Sequence, residues 1–224
     1  SREAKDWTSW TAQDGDAEAE LIAFAEHVLT SPAVAEIMTA WVTRTASPVR
    51  TATLATKALQ LTLPGVADVY QGTETTAVAL VDPDNRRPVD HEPLAEVLQR
   101  LDEGTKPVGL GEEKLRLTAA ILRLRREVPE AFVGARAGYA ALPTSTGHAI
   151  AYARTLDEEP RVCVVVKRLP IALAAVGGWG EGTVVLPEGT WSDVVSGATY
   201  DGGARTLAKM LAEAPVAVLA RVVE

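Results

Sequence analysis

Apolar positions in the first sixty residues recur at helical spacing. Ala19, Leu21, Ile22, Ala25, Val28 and Leu29 predict a helix over 16–30, with Asp14 or Asp16 as its cap and Ser31-Pro32 as its end. Pro32 suits the first turn of a second helix over 33–45, whose apolar members are Val34, Ile37, Met38, Trp41 and Val42. A third is predicted over 49–62, with Leu54, Ala55, Ala58 and Leu59 inward, and Pro64-Gly65 breaks it. Residues 66–70 are short and β-prone and predict a strand, from which Gln71-Gly-Thr-Glu74 turns away. A long polar loop follows through Asp82-Pro-Asp-Asn-Arg-Arg-Pro88. Two more helices are expected, over 93–101 and 111–128. The second carries Leu115, Leu117, Ala120, Ile121 and Leu124 on one side and many arginines on the other.

The texture changes near Pro129. From there short β-prone runs alternate with turn signals such as Ser145-Thr-Gly147, Pro187-Glu-Gly189 and Asp201-Gly-Gly203. Strands are predicted over 138–142, 149–154, 162–167, 183–186, 191–194 and 216–221, a spacing that suggests a β-sandwich. The fold class read from the pattern is α/β plus all-β: a helical part with one strand over 1–130, then a small β-sandwich domain over 131–224. A lone parallel strand cannot satisfy its ladder. Either the front part is mainly helical, or its partner strands lie in sequence absent here.

Composition narrows the function classes. Of 224 residues, 47 % are hydrophobic and 23 % charged, so the chain can build a core and disorder is not the default. A net charge of −8 argues against a general nucleic-acid or membrane-surface role. Cys163 is the single cysteine and sits in an apolar run, which reads as a buried strand position. The three histidines, His27, His91 and His148, have no metal-ligand spacing, and neither a metal nor another cofactor is expected. No run approaches the roughly 20 apolar residues of a membrane span. With no basic segment ahead of an apolar run, no secretory leader is predicted, and the cytoplasm is the default location. The polar start at Ser1 reads as that of a processed or excised piece.

The densest chemistry lies in the loop after Tyr70, where Gln71, Glu74, Asp82, Asp84, Asn85, Arg86 and Arg87 fall close together. Carboxylates and amides exchange hydrogen bonds with sugar hydroxyls, and an arginine fork holds a carboxylate or two hydroxyls. In a (β/α)8 barrel such loops, at the C-terminal ends of strands, form the active site. Composition alone favours a plainer reading, a turn with an internal Asp–Arg pair.

The order of residues adds a resemblance. Pro64-Gly-Val-Ala-Asp-Val-Tyr-Gln-Gly-Thr-Glu74, followed by Leu80-Val-Asp-Pro-Asp-Asn-Arg-Arg-Pro-Val-Asp90, resembles the eighth barrel strand and loop of the α-amylase superfamily. More closely, it is similar to the maltooligosyl trehalose synthase family. Arg2-Glu-Ala-Lys5 with Thr8-Ser-Trp10, and Gly178-Trp-Gly-Glu-Gly-Thr-Val-Val-Leu-Pro187 with Gly189-Thr-Trp191, resemble that family's segment after the seventh strand and its C-terminal β-domain. The chain departs from the family at Asp6-Trp7 and at Thr75-Thr-Ala77.

The resemblance implies the C-terminal remnant of a (β/α)8 barrel, mostly helical and carrying the eighth strand, followed by the β-sandwich. It implies an enzyme that turns the reducing-end α-1,4 bond of a maltooligosaccharide into an α,α-1,1 bond. By the same resemblance the three catalytic acids precede Ser1, so no catalytic residue is expected in this chain, which alone would be inactive. Asp82 and Arg86 would meet a donor-side glucose, while Tyr70, Gln71 and Glu74 would line or brace the barrel mouth. Asp84, Asn85 and Arg87 would hold the loop. The expected partner of the intact enzyme is a maltooligosaccharide. A partial barrel exposes strand edges and apolar helix faces, which favours self-association. Two other readings compete: a non-catalytic carbohydrate-binding or assembly module, and a small hydrolase with acids among Glu74, Asp82, Asp84 and Asp90.

Overall fold

Val162, Val164 and Val166 point to one face of a strand, and Cys163 and Val165 to the other; all five are buried. This strand, β3 (Glu159–Lys167), is apolar on both sides because both faces of its sheet are covered. The computed structural model describes residues 1–79 and 81–222. Its sheet has six antiparallel strands: β1 (Ala137–Ala141), β2 (Ala149–Leu156), β3, β4 (Thr183–Asp193), β5 (Thr199–Thr206) and β6 (Val216–Arg221). Their order is β1-β2-β3-β6-β4-β5.

One face of the sheet packs against helices. Tyr152, Val162, Val164, Val166, Val216 and Val218 share a core with two of them, α2 (Pro32–Thr62) and α4 (Gly109–Glu127). Leu54, Ala58 and Leu61 come from α2, and Leu117, Ile121 and Leu124 from α4, each set at helical spacing. Several polar groups inside this core are paired. Thr62 Oγ1 lies 2.5 Å from the Tyr152 hydroxyl and 2.5 Å from the Ala58 carbonyl oxygen. Burial pushes the Tyr152 hydroxyl up to about 12. The buried Arg154 donates to the carbonyl oxygens of Ala131 and Phe132 at 3.1 and 3.2 Å. Phe132 also carries the Arg125 guanidinium over its ring, 4.6 Å from the centroid.

The other face holds Ala151, Ala153, Cys163, Val165, Ala217 and Leu219. Val184, Leu186 and Trp191 of β4 pack in that same cluster. So does Leu207 of a short helix, Leu207–Met210. β4 pairs with β6 only over Trp191–Asp193, whereas its pairing with β5 runs from Thr183 to Ser192 across a register shift between Leu186 and Thr190. The break lets β4 leave the plane of β6 and bring its first half over the sheet. The strands expected of a β-sandwich are thus joined in one connected ladder, with Val184 and Leu186 of β4 packed with Ala151 and Val165.

The chain divides into two compact units, Ser1–Ser47 and Pro48–Glu224. The first holds α1 (Gly15–Thr30) and the start of α2. Asp14 caps α1 by accepting from the Ala17 N–H at 3.1 Å. The Glu18 carboxylate ties this unit to its own N-terminus: Oε1 accepts from Arg2 Nε at 2.8 Å and from the Thr8 hydroxyl at 2.6 Å, and Arg2 Nη2 bonds Oε2. α1 buries none of its residues. No single described helix is long and apolar enough to cross a membrane; α1 and α2 reach that apolar length only as a bent pair.

Two sequence expectations change. The helices predicted over 33–45 and 49–62 are one helix, α2, with Pro48 inside it. Proline keeps a helical φ and forfeits one backbone bond, a loss that a long helix absorbs. Residues 66–70 are extended but join no ladder among the described residues. A strand needs a neighbour to take its N–H and C=O groups, and Val66 is instead fully exposed.

Candidate functional site

The polar loop begins where the extended segment ends at Tyr70. Thr73 closes the first turn, its N–H and hydroxyl both reaching the Tyr70 carbonyl oxygen, at 3.2 and 2.6 Å. Gly72 sits at φ +77°, and a Cβ there would come within 2.9 Å of Val89. The turn thus needs glycine for both conformation and space. Gln71 donates to the Arg87 carbonyl oxygen at 3.2 Å and so ties the start of the loop to its end.

Between these ends, residues Asp82–Arg86 form a single 3₁₀ turn. Asp84 is its internal anchor. It accepts from Arg87 Nη2 at 2.6 Å and from the Val81 N–H at 3.4 Å, and its side chain is largely covered. Asn85 donates to Asp82 at 3.3 Å. Asp82 and Arg86 differ from the rest. Their side chains are 75 % and 77 % exposed and their charges stand 3.8 Å apart, a loose surface pair. Both have polar atoms free to meet an incoming hydroxyl. Asp90 then ends the loop by capping α3 (His91–Asp102), accepting from the Glu92 N–H at 3.2 Å. Leu80, part of the sequence motif, lies outside the described residues.

The five sequence-predicted contact residues do not converge on one pocket. Asp82 and Arg86 share the solvent-facing 3₁₀ turn. Tyr70 lines an open cavity of about 570 Å3 with Lys57, Gln60, Asp68, Thr73 and Lys114. Glu74 lines a different groove, beside Leu98, Leu115, Leu122 and Arg126. Its Oε2 is buried with no hydrogen-bond partner among the described residues. Among the described residues, no group of three His, Cys, Asp or Glu side chains is arranged to hold a metal ion.

Lys57 and Lys114 belong to this region and were missed. Lys57 Nζ donates to Gln60 at 2.7 Å, and Gln60 donates to the Asp68 carbonyl oxygen at 2.6 Å. Lys114 Nζ donates to the Thr75 carbonyl oxygen at 2.8 Å. Burial pushes both ammonium groups below the usual lysine range, and the Glu74 carboxylate opposes that shift in each. The signal was present in the pattern. Lys57 falls on the stripe of Leu54, Ala58 and Leu61, and Lys114 on that of Leu117, Ile121 and Leu124. A charge on an inward stripe marks a buried cation that needs compensation.

No family model matches the chain. Two curated proteins do, each described as a putative maltooligosyl trehalose synthase of Mycobacterium tuberculosis. They are 37 % identical over 98 % of this chain and 27 % of their own length. The solved maltooligosyltrehalose synthase of Arthrobacter ramosus superposes with a TM-score of 0.86 at 36 % identity, over 99 % of this chain and 29 % of that one. A hypothetical maltooligosyl trehalose synthase of Sulfolobus tokodaii, 24 % identical over 98 % of this chain and 27 % of that one, shares the fold with a TM-score of 0.70. This chain thus spans little more than a quarter of the length of these relatives. Its helices and six-stranded sheet make it similar, in sequence and in fold, to the C-terminal part of maltooligosyl trehalose synthases.

Proposed function

We propose that this chain is the C-terminal part of an enzyme that rearranges the reducing end of maltooligosaccharides. The enzyme converts the terminal α-1,4 bond to an α,α-1,1 bond, giving maltooligosyl trehalose. The observation that carries this reading is the 37 % identity over 98 % of the chain to proteins of that description. In this reading residues 66–70 are the eighth strand of a (β/α)8 barrel, whose ladder is completed by strands outside this chain. The sheet of β1 to β6 is the appended β-domain.

The loop geometry supports a binding role and argues against a complete active site. A retaining rearrangement needs a nucleophilic carboxylate and an acid/base carboxyl about 5 Å apart on opposite sides of the scissile bond. Asp82 and Asp84 stand on one 3₁₀ turn, and Asp84 is committed to Arg87 and the Val81 N–H. Two acids on one turn do not flank a sugar from opposite faces. The acids therefore come from elsewhere in the enzyme, and Asp82 and Arg86 bind hydroxyls of a donor-side glucose.

Asp82→Ala and Arg86→Ala in the full-length protein test the binding role. Each removes a charge-assisted hydrogen bond, worth about 1.5–3 kcal/mol, so kcat/KM for maltopentaose falls by about tenfold or more. Both side chains are exposed, so the unfolding free energy stays within about 0.5 kcal/mol of the parent's. Unchanged kinetics in both variants would remove them from the glucan site.

A further inference from the structure

Lys57 and Lys114 line one cavity with Tyr70 and Thr73 at the start of the loop. The segment after Thr73 packs on α4, so close that a Cβ on Gly111 would meet Thr75 Oγ1 at 2.6 Å and Thr76 Oγ1 at 3.3 Å. Lys114, one turn further along α4, donates to the Thr75 carbonyl oxygen. Lys57, 5 % exposed on α2, donates to Gln60, its one hydrogen-bond partner among the described residues. Gln60 in turn holds the Asp68 carbonyl oxygen in the segment leading to Tyr70. A buried cation bonded only to an amide is costly unless a counter-charge is near. The Glu74 carboxylate is a nearby opposite charge that favours both ammonium forms. Its own buried Oε2 has no hydrogen-bond partner among the described residues.

We infer that Lys57 and Lys114 are positioning residues for the glucan-binding loop. Together they clamp Glu74 and Thr75, and so set where Tyr70 and the turn of Asp82 and Arg86 stand. Glu74 then anchors the loop and makes no direct sugar contact. The inference rests on the proposed function for the meaning of the loop, but the clamp can be read without any activity.

The test uses Lys114→Met and Lys57→Met in the full-length protein, with Lys114→Arg as the conservative control. Hydrogen exchange reads the clamp through the Thr73 amide, which is bonded to Tyr70. Loss of one charge-assisted bond speeds its exchange about tenfold or more in the Met variants, while Lys114→Arg stays near the parent rate. Unchanged exchange in a folded Lys114→Met protein overturns the clamp. If Lys57→Met fails to fold, Lys114→Met decides, because Lys114 is less buried.

Steady-state kinetics with maltopentaose read the positioning role. KM rises about fivefold with kcat within about twofold, the pattern of lost uniform binding, and Lys114→Arg restores it. Faster exchange with unmoved KM would leave the clamp in place and overturn its role in binding. If the parent protein does not act on maltopentaose at all, the proposed function fails, and exchange alone decides the clamp.

Discussion

The two halves of α2 carry equally apolar stripes with opposite fates. Before Pro48, Ile37, Met38, Trp41 and Val42 are all exposed. After it, Leu54, Ala55, Ala58 and Leu61 are buried against α4 and the sheet. The same contrast separates the two units. The second is closed by two apolar clusters on the two faces of one sheet. In the first, α1 buries nothing, and the described contacts that hold it are polar, centred on Arg2, Thr8 and Glu18. Periodicity therefore reports which side of a helix is ready to be covered. Whether it is covered depends on what else the chain brings to it.

The largest expected effect breaks the covered side. Trp191 is 0 % exposed and donates from Nε1 to the Pro187 carbonyl oxygen at 2.9 Å. Trp191→Ala lowers the unfolding free energy by about 3–5 kcal/mol in urea melts followed by circular dichroism. Leu29, 82 % exposed in α1, is the counterpart. Leu29→Ala in the 224-residue chain changes stability by less than about 0.5 kcal/mol. In the full-length protein the same change costs about 2–5 kcal/mol, because the proposed barrel covers the stripe. Equal, small effects in both proteins would contradict that cover.

The smallest effect is electrostatic. The Arg2 side chain, then the Thr8 hydroxyl, hold the Glu18 carboxyl at about 2, below the ordinary 4.5. A lowered pKa in the folded state means that the contribution is complete above the ordinary value and is lost as pH falls from 4.5 towards 2. A carbon-detected titration of the Glu18 carboxyl should give a midpoint near the lower value, and Arg2→Ala should move it upward. An unshifted midpoint in the parent chain would show that the pair does not persist in solution.

Much of the architecture was legible where one stripe met one partner. The buried members of α2 and α4, and strands β2, β3 and β6, follow directly from apolar spacing. β5 was missed because Asp201-Gly-Gly203 reads as a turn, yet Asp201 and Gly203 pair with Thr190 and Leu186 in the ladder. Glycine is tolerated there because the strand bends at the register shift in β4. Residues 66–70 have the composition of a strand and no neighbour to pair with, a fact that no local pattern contains. In the loop, it was the family resemblance that assigned Asp84 to holding the turn, in keeping with its bonds to Arg87 and the Val81 N–H. The place of the lysines beside the loop was not legible, because Lys57 and Lys114 come to it from helices distant in sequence.

In the proposed function, the loop of Asp82 and Arg86 is one wall of a glucan site whose acids lie outside these 224 residues. The most direct measurement follows reducing ends during incubation with maltopentaose, using the full-length protein and the 224-residue chain in parallel. An α,α-1,1 bond joins two anomeric carbons, so the rearrangement removes a reducing end without releasing glucose. The account predicts loss of reducing ends and formation of maltooligosyl trehalose with the full-length protein, and no change with the 224-residue chain. Product from the 224-residue chain alone, or net gain of reducing ends with the full-length protein, would contradict it.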